Sequence, residues 1–241
     1  MLKAAGEDLG RRALAEFVGT AFLLIAVIGS GIAAQRLSPN DTGLQLFENA
    51  SATAAALVAI ILAVGSVSGA HLNPVVTLVD RLFGGVSTAA TAVYIVAQFA
   101  GAVAGAVIAN LMFALPAVEL STKHRTGSNL WLAEVVATLG LLLVIFGVVR
   151  SGRASAAPFA VGAYIGGAYF FTSSTSFANP AVTAARTLSN TFAGIAWQSA
   201  PGFVVAQLGG ALVGVLLIRG LYPRVERVAP AVVLPHGEVN A

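Results

Sequence analysis

The sequence predicts an all-α membrane protein: six transmembrane helices and two re-entrant half-helices, built as two inverted three-helix repeats. Three observations carry that prediction. The chain of 241 residues is 57% hydrophobic and only 10% charged, with a mean hydropathy of +0.87, too apolar for a soluble domain of this length. Two segments, His71-Leu72-Asn73-Pro74-Val75-Val76-Thr77 and Phe177-Ala178-Asn179-Pro180-Ala181-Val182-Thr183, share one Asn-Pro-x-Val-Thr pattern. The spans around them repeat as well: Ala15-Glu16-Phe17-Val18-Gly19-Thr20 is echoed by Ala133-Glu134-Val135-Val136-Ala137-Thr138, and Ala97-Gln98-Phe99-Ala100-Gly101-Ala102 by Ala206-Gln207-Leu208-Gly209-Gly210-Ala211.

At about 20 apolar residues per crossing, full spans are expected near 11–34, 47–67, 87–114, 130–149, 157–174 and 198–221. The first apolar stretch, 9–34, is too long for a signal-peptide core and reads as a retained span. The polar run 35–45 reads as a loop between the first two spans. An Asn before a Pro starts a helix, because the Asn side chain caps free N–H groups and Pro at the first helical position sacrifices no hydrogen bond. Each motif therefore opens a helix of roughly 9 residues, about 14 Å long and half a bilayer core. Three crossings per repeat is an odd number, so the second repeat must lie upside down relative to the first, and the half-helices meet near the midplane. Residues 1–222 are read as one channel-forming domain, with repeats at about 10–114 and 128–222 and a cytoplasmic tail at 223–241.

Of the thirteen Lys and Arg residues, Lys3, Arg11, Arg12, Arg81, Arg150, Arg153, Arg219, Arg224 and Arg227 fall on one side and Arg36, Lys123, Arg125 and Arg186 on the other. That asymmetry places both termini in the cytoplasm, in the cell (inner) membrane. The absence of Cys and the three scattered His residues offer no metal cluster. No cofactor, metal ion or nucleic acid is expected, and no nucleophile–base pair points to an enzyme.

Non-helical backbone at membrane depth is tolerated only where it is buried in protein or lines a watery cavity. Gly69, Ala70, His71 and Leu72, with Ser174, Thr175, Ser176, Phe177 and Ala178, are therefore expected to present carbonyls to a pore, and Asn73 and Asn179 to add N–H donors. Glu16 and Glu134 are acidic residues inside spans, which marks them as functional by default. Gly101/Gly105, Gly162/Gly166 and Gly210/Gly214 have the small-xxx-small spacing of close helix packing.

Over roughly residues 10–222 the chain resembles the major intrinsic protein family, the aquaporins and aquaglyceroporins. The resemblance implies an aquaporin-like fold, a homotetramer with one pore per subunit, and passive flux of small neutral solutes across the lipid bilayer. In such pores, facing half-helix dipoles exclude protons and cations. It also implies that Glu16 and Glu134 hold the re-entrant loops by accepting backbone N–H bonds.

The chain departs from the family where its usual Asn-Pro-Ala-Arg becomes Asn179-Pro180-Ala181-Val182. Carried over by ungapped spacing, the remaining filter positions are Thr53, Gly167 and Ser176. All are small, which implies an unusually wide, arginine-free filter. The pattern resembles a bacterial subgroup associated with arsenic resistance, so glycerol-like solutes, arsenous acid and methylated arsenicals join water as expected solutes. The alternatives are an ordinary water/glycerol facilitator with the fifth-span position displaced, and a secondary active transporter. Several residues keep two readings: Arg186 either supplies the missing charge at the outer vestibule or snorkels to the lipid headgroups, Val75 either tightens the pore or points into protein, and His71 either packs or gates. His124, between Lys123 and Arg125, is read as part of a solvated loop.

Overall fold

The structure, a computed structural model, describes residues 2–222, with side chains from Asp8 onward. The expectations for Lys3, Arg224, Arg227 and the tail at 223–241 lie outside the described residues. Among the described residues eight α-helices form: α1 (Leu2–Leu37), α2 (Thr42–Ser68), α3 (Pro74–Phe83), α4 (Thr88–Met112), α5 (Ser128–Arg150), α6 (Ala157–Phe171), α7 (Pro180–Ala185) and α8 (Ala200–Leu221). Six segments are long and apolar enough to cross a membrane: α1 from Asp8, α2, α4, α5, α8, and α6 taken together with the 3-10 turn Ala154–Ala156 that precedes it.

The helix boundaries have local causes. Asp41 Oδ1 accepts from Leu44 N to start α2, and Ser87 Oγ accepts from Ala90 N to start α4. Gly69 and Gly84 end α2 and α3 in the left-handed conformation. The second half-helix is shorter than expected. After Ala185 it tightens into a 3-10 turn at Arg186–Leu188, because the Thr187 and Leu188 carbonyls accept from Ser121 N at 2.9 Å and Glu119 N at 3.1 Å instead of continuing the helical ladder. The third span stops at Met112, two residues early, where Ala114 turns to φ +56°.

The spanning helices contact one another in the order α4, α1, α2, α6, α5, α8, and the half-helices fill the remaining gap between α4 and α8. Small residues set the closest approaches. A Cβ on Gly101 or Gly105 of α4 would collide with the Phe17 or Ala21 carbonyl of α1. In the second repeat a Cβ on Gly210 of α8 would lie 2.6 Å from the Val135 carbonyl of α5, and between repeats one on Gly162 of α6 would lie 2.9 Å from Ala54 O of α2. Backbones in contact gain dispersion energy and lose little side-chain entropy, which is how membrane helices associate without a hydrophobic drive. Exposed Phe22, Leu62, Val96, Leu132, Phe170 and Leu216 cover the outer surface with apolar side chains.

Because the neighbour at Gly105 is backbone, Gly105→Leu is expected to destabilise the folded protein by about 1–3 kcal/mol or more. Gly220→Ala, with nothing within 4 Å, should be near neutral; thermal unfolding in detergent compares the two.

Candidate functional site

Each half-helix opens on its asparagine. Asn73 Oδ1 accepts from Val75 N at 2.9 Å, and Asn179 Oδ1 accepts from Ala181 N at 3.0 Å and Val182 N at 3.3 Å. The amide nitrogens reach across: Asn73 Nδ2 donates to Ala178 O and Asn179 Nδ2 to Leu72 O, both at 2.8 Å. The N-termini of α3 and α7 therefore meet, clasped by their own caps. One amide N–H of each Asn is used in the clasp, and the other is left for the lumen that both residues line. The last carbonyl of each loop is consequently occupied, which shortens the expected ladder of pore-facing acceptors.

The loops run through reversed backbone. Ala70 (φ +48°) and Leu72 (φ +52°) are mirrored by Ser176 (φ +50°) and Ala178 (φ +47°), and Thr175 (φ +65°) stands where the other loop has Gly69 (φ +86°). Residues with a Cβ pay about 1–2 kcal/mol each in this region. Two buried carboxylates compensate. Glu16 Oε1 accepts from Ser68 Oγ at 2.6 Å and His71 N at 2.9 Å, and its Oε2 from Leu72 N and Gln98 Nε2, both at 2.7 Å. Glu134 Oε1 accepts from Ser174 Oγ at 2.6 Å and Phe177 N at 2.9 Å, and its Oε2 from Ala178 N at 2.9 Å and Gln207 Nε2 at 2.6 Å. Gln98 and Gln207 also donate to Thr77 and Thr183, each at 2.9 Å, and those hydroxyls donate to the Asn73 and Asn179 carbonyls. One network thus runs from each span glutamate to the foot of each half-helix.

Between the loops and the helix ring lies a cavity of about 60 Å³, room for several waters. One wall is apolar: Leu23, Val27, Leu57, Ile61, Leu141, Ile145, Val161 and Ile165. The other is the strip Ala70, His71, Leu72 and Asn73 with Ser176, Phe177, Ala178 and Asn179. Val76 and Val182, each three residues beyond its asparagine, both line it.

Thr53, Ser176, Val182 and Arg186 reach this lumen, but other expected positions do not. Gly167 is exposed on the opposite face of α6. Val161, Ile165 and Tyr169 repeat every four residues along the lumen face, and two residues further from Ile165 turns a helix by about 200°. Tyr169, not Gly167, is the α6 residue near Thr53 that lines the lumen, its hydroxyl 3.4 Å from Thr53 Oγ1, so the lumen carries an aromatic. Gly69 serves as the cap of α2 and is not on the wall. Val75, Pro74, Pro180 and Ala181 are buried away from the lumen wall.

Arg186 is buried, and its Nε donates to Ala193 O. Its Cζ lies 3.4 Å from the Phe177 ring centroid, a cation–π contact. Arg125, assigned from sequence only to a loop, has its Cζ 5.4 Å from the same ring, and its Nε donates to Gly194 O at 3.0 Å. Lys123 Nζ donates to Phe192 O at 3.0 Å. Partial burial, with Arg125 and Arg186 nearby, lowers the Lys123 ammonium to about 8. Below that pH this mouth carries three positive side chains, Lys123, Arg125 and Arg186. His124 beside them is exposed.

The sequence model of the major intrinsic protein family matches residues 4–176 and 156–241. The chain belongs to that family. Aquaglyceroporin AqpS of Rhizobium meliloti (strain 1021) is 49% identical over 214 residues, 89% of this chain and 91% of that protein. Probable aquaporin NIP7-1 of Arabidopsis thaliana is 33% identical over 129 residues, 53% of this chain and 46% of that protein. The X-ray structure of the aquaglyceroporin from Plasmodium falciparum superposes with a TM-score of 0.68 at 20% identity, covering 91% of this chain and 99% of that one; at that identity it speaks for the fold. Major intrinsic proteins are multi-pass membrane channels, not enzymes.

Hydrogen bonds to a charged group contribute about 1.5–3 kcal/mol each. Glu16→Ala and Glu134→Ala are each expected to destabilise by at least about 3 kcal/mol, since each leaves two loop N–H groups buried and unmet. Matched losses in denaturant unfolding are expected, and a large loss at one site with none at the other would contradict the shared role.

Proposed function

We propose that this protein is a passive channel for water and small neutral polyhydroxylated solutes. The observation that carries the reading is the two-sided lumen. A glycerol-like molecule can lay its C–H face on the helix wall and turn its hydroxyls toward Asn73, Asn179 and the loop strip. Coupled transport would need ionisable groups near the midplane, and Glu16 and Glu134 are already engaged by loop donors.

The filter comprises Thr53, Ser176, Tyr169 and Val182, with Arg186 supplying the positive charge from one helical turn beyond the motif. It is arginine-free at the motif position and cationic just outside it. With Val in place of Arg it admits glycerol-sized and bulkier uncharged solutes, arsenous acid and methylated arsenicals among them. Tyr169 favours a second reading, an ordinary water/glycerol facilitator whose aromatic wall limits size. The chain functions as one domain, residues 1–222, in a homotetramer in the cell membrane. Its termini are cytoplasmic and the mouth at Arg125 and Arg186 faces outward, in keeping with the charge asymmetry of its loops.

Proteoliposome flux of water, glycerol, arsenous acid and monomethylarsenical tests this. Val182→Arg should keep water and lose the larger solutes, whereas indifference of all four fluxes to the substitution would place selectivity elsewhere. Arg186→Ala should weaken cation exclusion, and unchanged selectivity would assign the arginine to packing on Phe177.

A further inference from the structure

The two repeats finish one shared seam differently. Gly29 of α1 and Gly147 of α5 each stand thirteen residues beyond the span glutamate, and Phe113 and Tyr222 each fifteen beyond the glutamine that bonds that glutamate. A Cβ on Gly29 would lie 3.4 Å from the Phe113 ring, and one on Gly147 would lie 2.9 Å from Tyr222 Oη. In each repeat, therefore, the aromatic residue that follows the last span rests on a glycine of the first span.

In the first repeat an arginine covers that aromatic. Arg36 Nη2 donates to Phe113 O at 2.6 Å, and its Cζ lies 5.2 Å from the ring centroid. Among the described residues no arginine covers Tyr222 in this way. Arg150 has no hydrogen-bond or ion-pair partner among them. Arg153 Nε donates to Ser151 Oγ at 3.1 Å, and that hydroxyl donates to Val148 O at 2.8 Å. The Arg153 guanidinium is thus oriented from behind while its two terminal amino groups stay available. The seam is left as an open groove of about 640 Å³ that carries Arg150, Arg153 and Tyr222 together with Leu143, Val144 and Leu221. No carboxylate lines it among the described residues, and it shares no lining residue with the lumen.

The depth of the groove selects its occupant. The spans of α5 and α8 end here, at Arg150 and Leu221, where helices leave the hydrocarbon for the headgroups. Leu143 lies seven residues back inside α5, about 10 Å deeper. We propose that this groove binds one anionic phospholipid of the adjoining leaflet, its phosphodiester held by Arg150 and Arg153 and an acyl chain laid on Leu143, Val144 and Leu221. The planar fork of arginine matches phosphate oxygens in pairs, and basic pockets between membrane helices suit anionic headgroups. Phosphatidylcholine offers the same phosphate beside a quaternary ammonium that two arginines repel, so the site selects by net charge. The lipid covers Tyr222 as Arg36 covers Phe113.

Native mass spectrometry of the full chain tests this, with equal amounts of phosphatidylglycerol and phosphatidylcholine of matched acyl chains added in detergent. One phosphatidylglycerol per chain should be retained, several-fold over phosphatidylcholine. Arg150→Gln combined with Arg153→Gln, both at exposed positions, should bring that preference close to unity. Arg81→Gln removes a cation assigned to the same side but outside the groove, and should preserve it. Equal retention of the two lipids by the wild type, or a double variant that keeps the preference, overturns the proposal. So does an equal loss with Arg81→Gln, which would reduce the effect to diffuse charge. Three further outcomes also overturn it: displacement of the lipid by inorganic phosphate at similar concentration, a free-ion site; retention only by a chain ending at Tyr222, the groove then belonging to the tail that carries Glu226 and Glu238; and retention only by dissociated single chains, a contact between copies. Hydrogen–deuterium exchange of the wild type in nanodiscs needs no variant: phosphatidylglycerol should slow the amides of 150–154 relative to phosphatidylcholine, and identical exchange in the two lipids contradicts the site.

Discussion

Two stretches of left-handed backbone lie at membrane depth, and everything else in the pore depends on their being held there. No water is available in a bilayer core to satisfy their N–H groups, and residues with a Cβ resist the conformation. Glu16 and Glu134 answer both difficulties, each accepting from two consecutive loop N–H groups and from a serine and a glutamine. A buried carboxylate is normally a liability; with four donors around it, it becomes the fixed point from which the loop is hung. The asparagine clasp then ties the two hung loops to each other, so neither half-helix is positioned independently.

That construction determines the character of the lumen. Because helices supply one wall and loops the other, polar groups concentrate on a single strip. The strip begins at a cationic mouth, where Arg125 and Arg186 share the Phe177 ring, and passes the meeting point of two helix N-termini. There each half-helix contributes about half a positive charge. Cations meet unfavourable potential along this path, whereas neutral hydroxylated molecules find donors and acceptors. At the far end Asp80 holds the register position of Arg186, its carboxylate 3.5 Å from His71 Nε2, so the two repeats share geometry while differing in charge.

Much of this was legible in the chain because it repeats. Duplicated Asn-Pro motifs, span glutamates and glycine pairs each rest on local rules: a cap needs Asn, Pro tolerates only the first turn, and a backbone contact admits no Cβ. The partners Gln98, Gln207, Thr77 and Thr183 lay inside the same repeated strings, although nothing local revealed that they join the glutamates to the half-helices. The residue that the fifth span turns to the lumen was less legible. Ungapped spacing pointed to Gly167, and rotation of α6 turned that residue outward and brought Tyr169 in.

The sequence by itself determined the class of structure, six spans with two half-helices opening on Asn73 and Asn179, since composition and capping chemistry act over a few residues. The tertiary structure decided what faces the lumen. Helix rotation selects Tyr169 over Gly167, and the fold brings Arg125 to Phe177 from 52 positions away in the chain. The same folding buries Asp80 behind His71. Such contacts depend on how rigid helices rotate and dock against one another, a property no local window of residues contains.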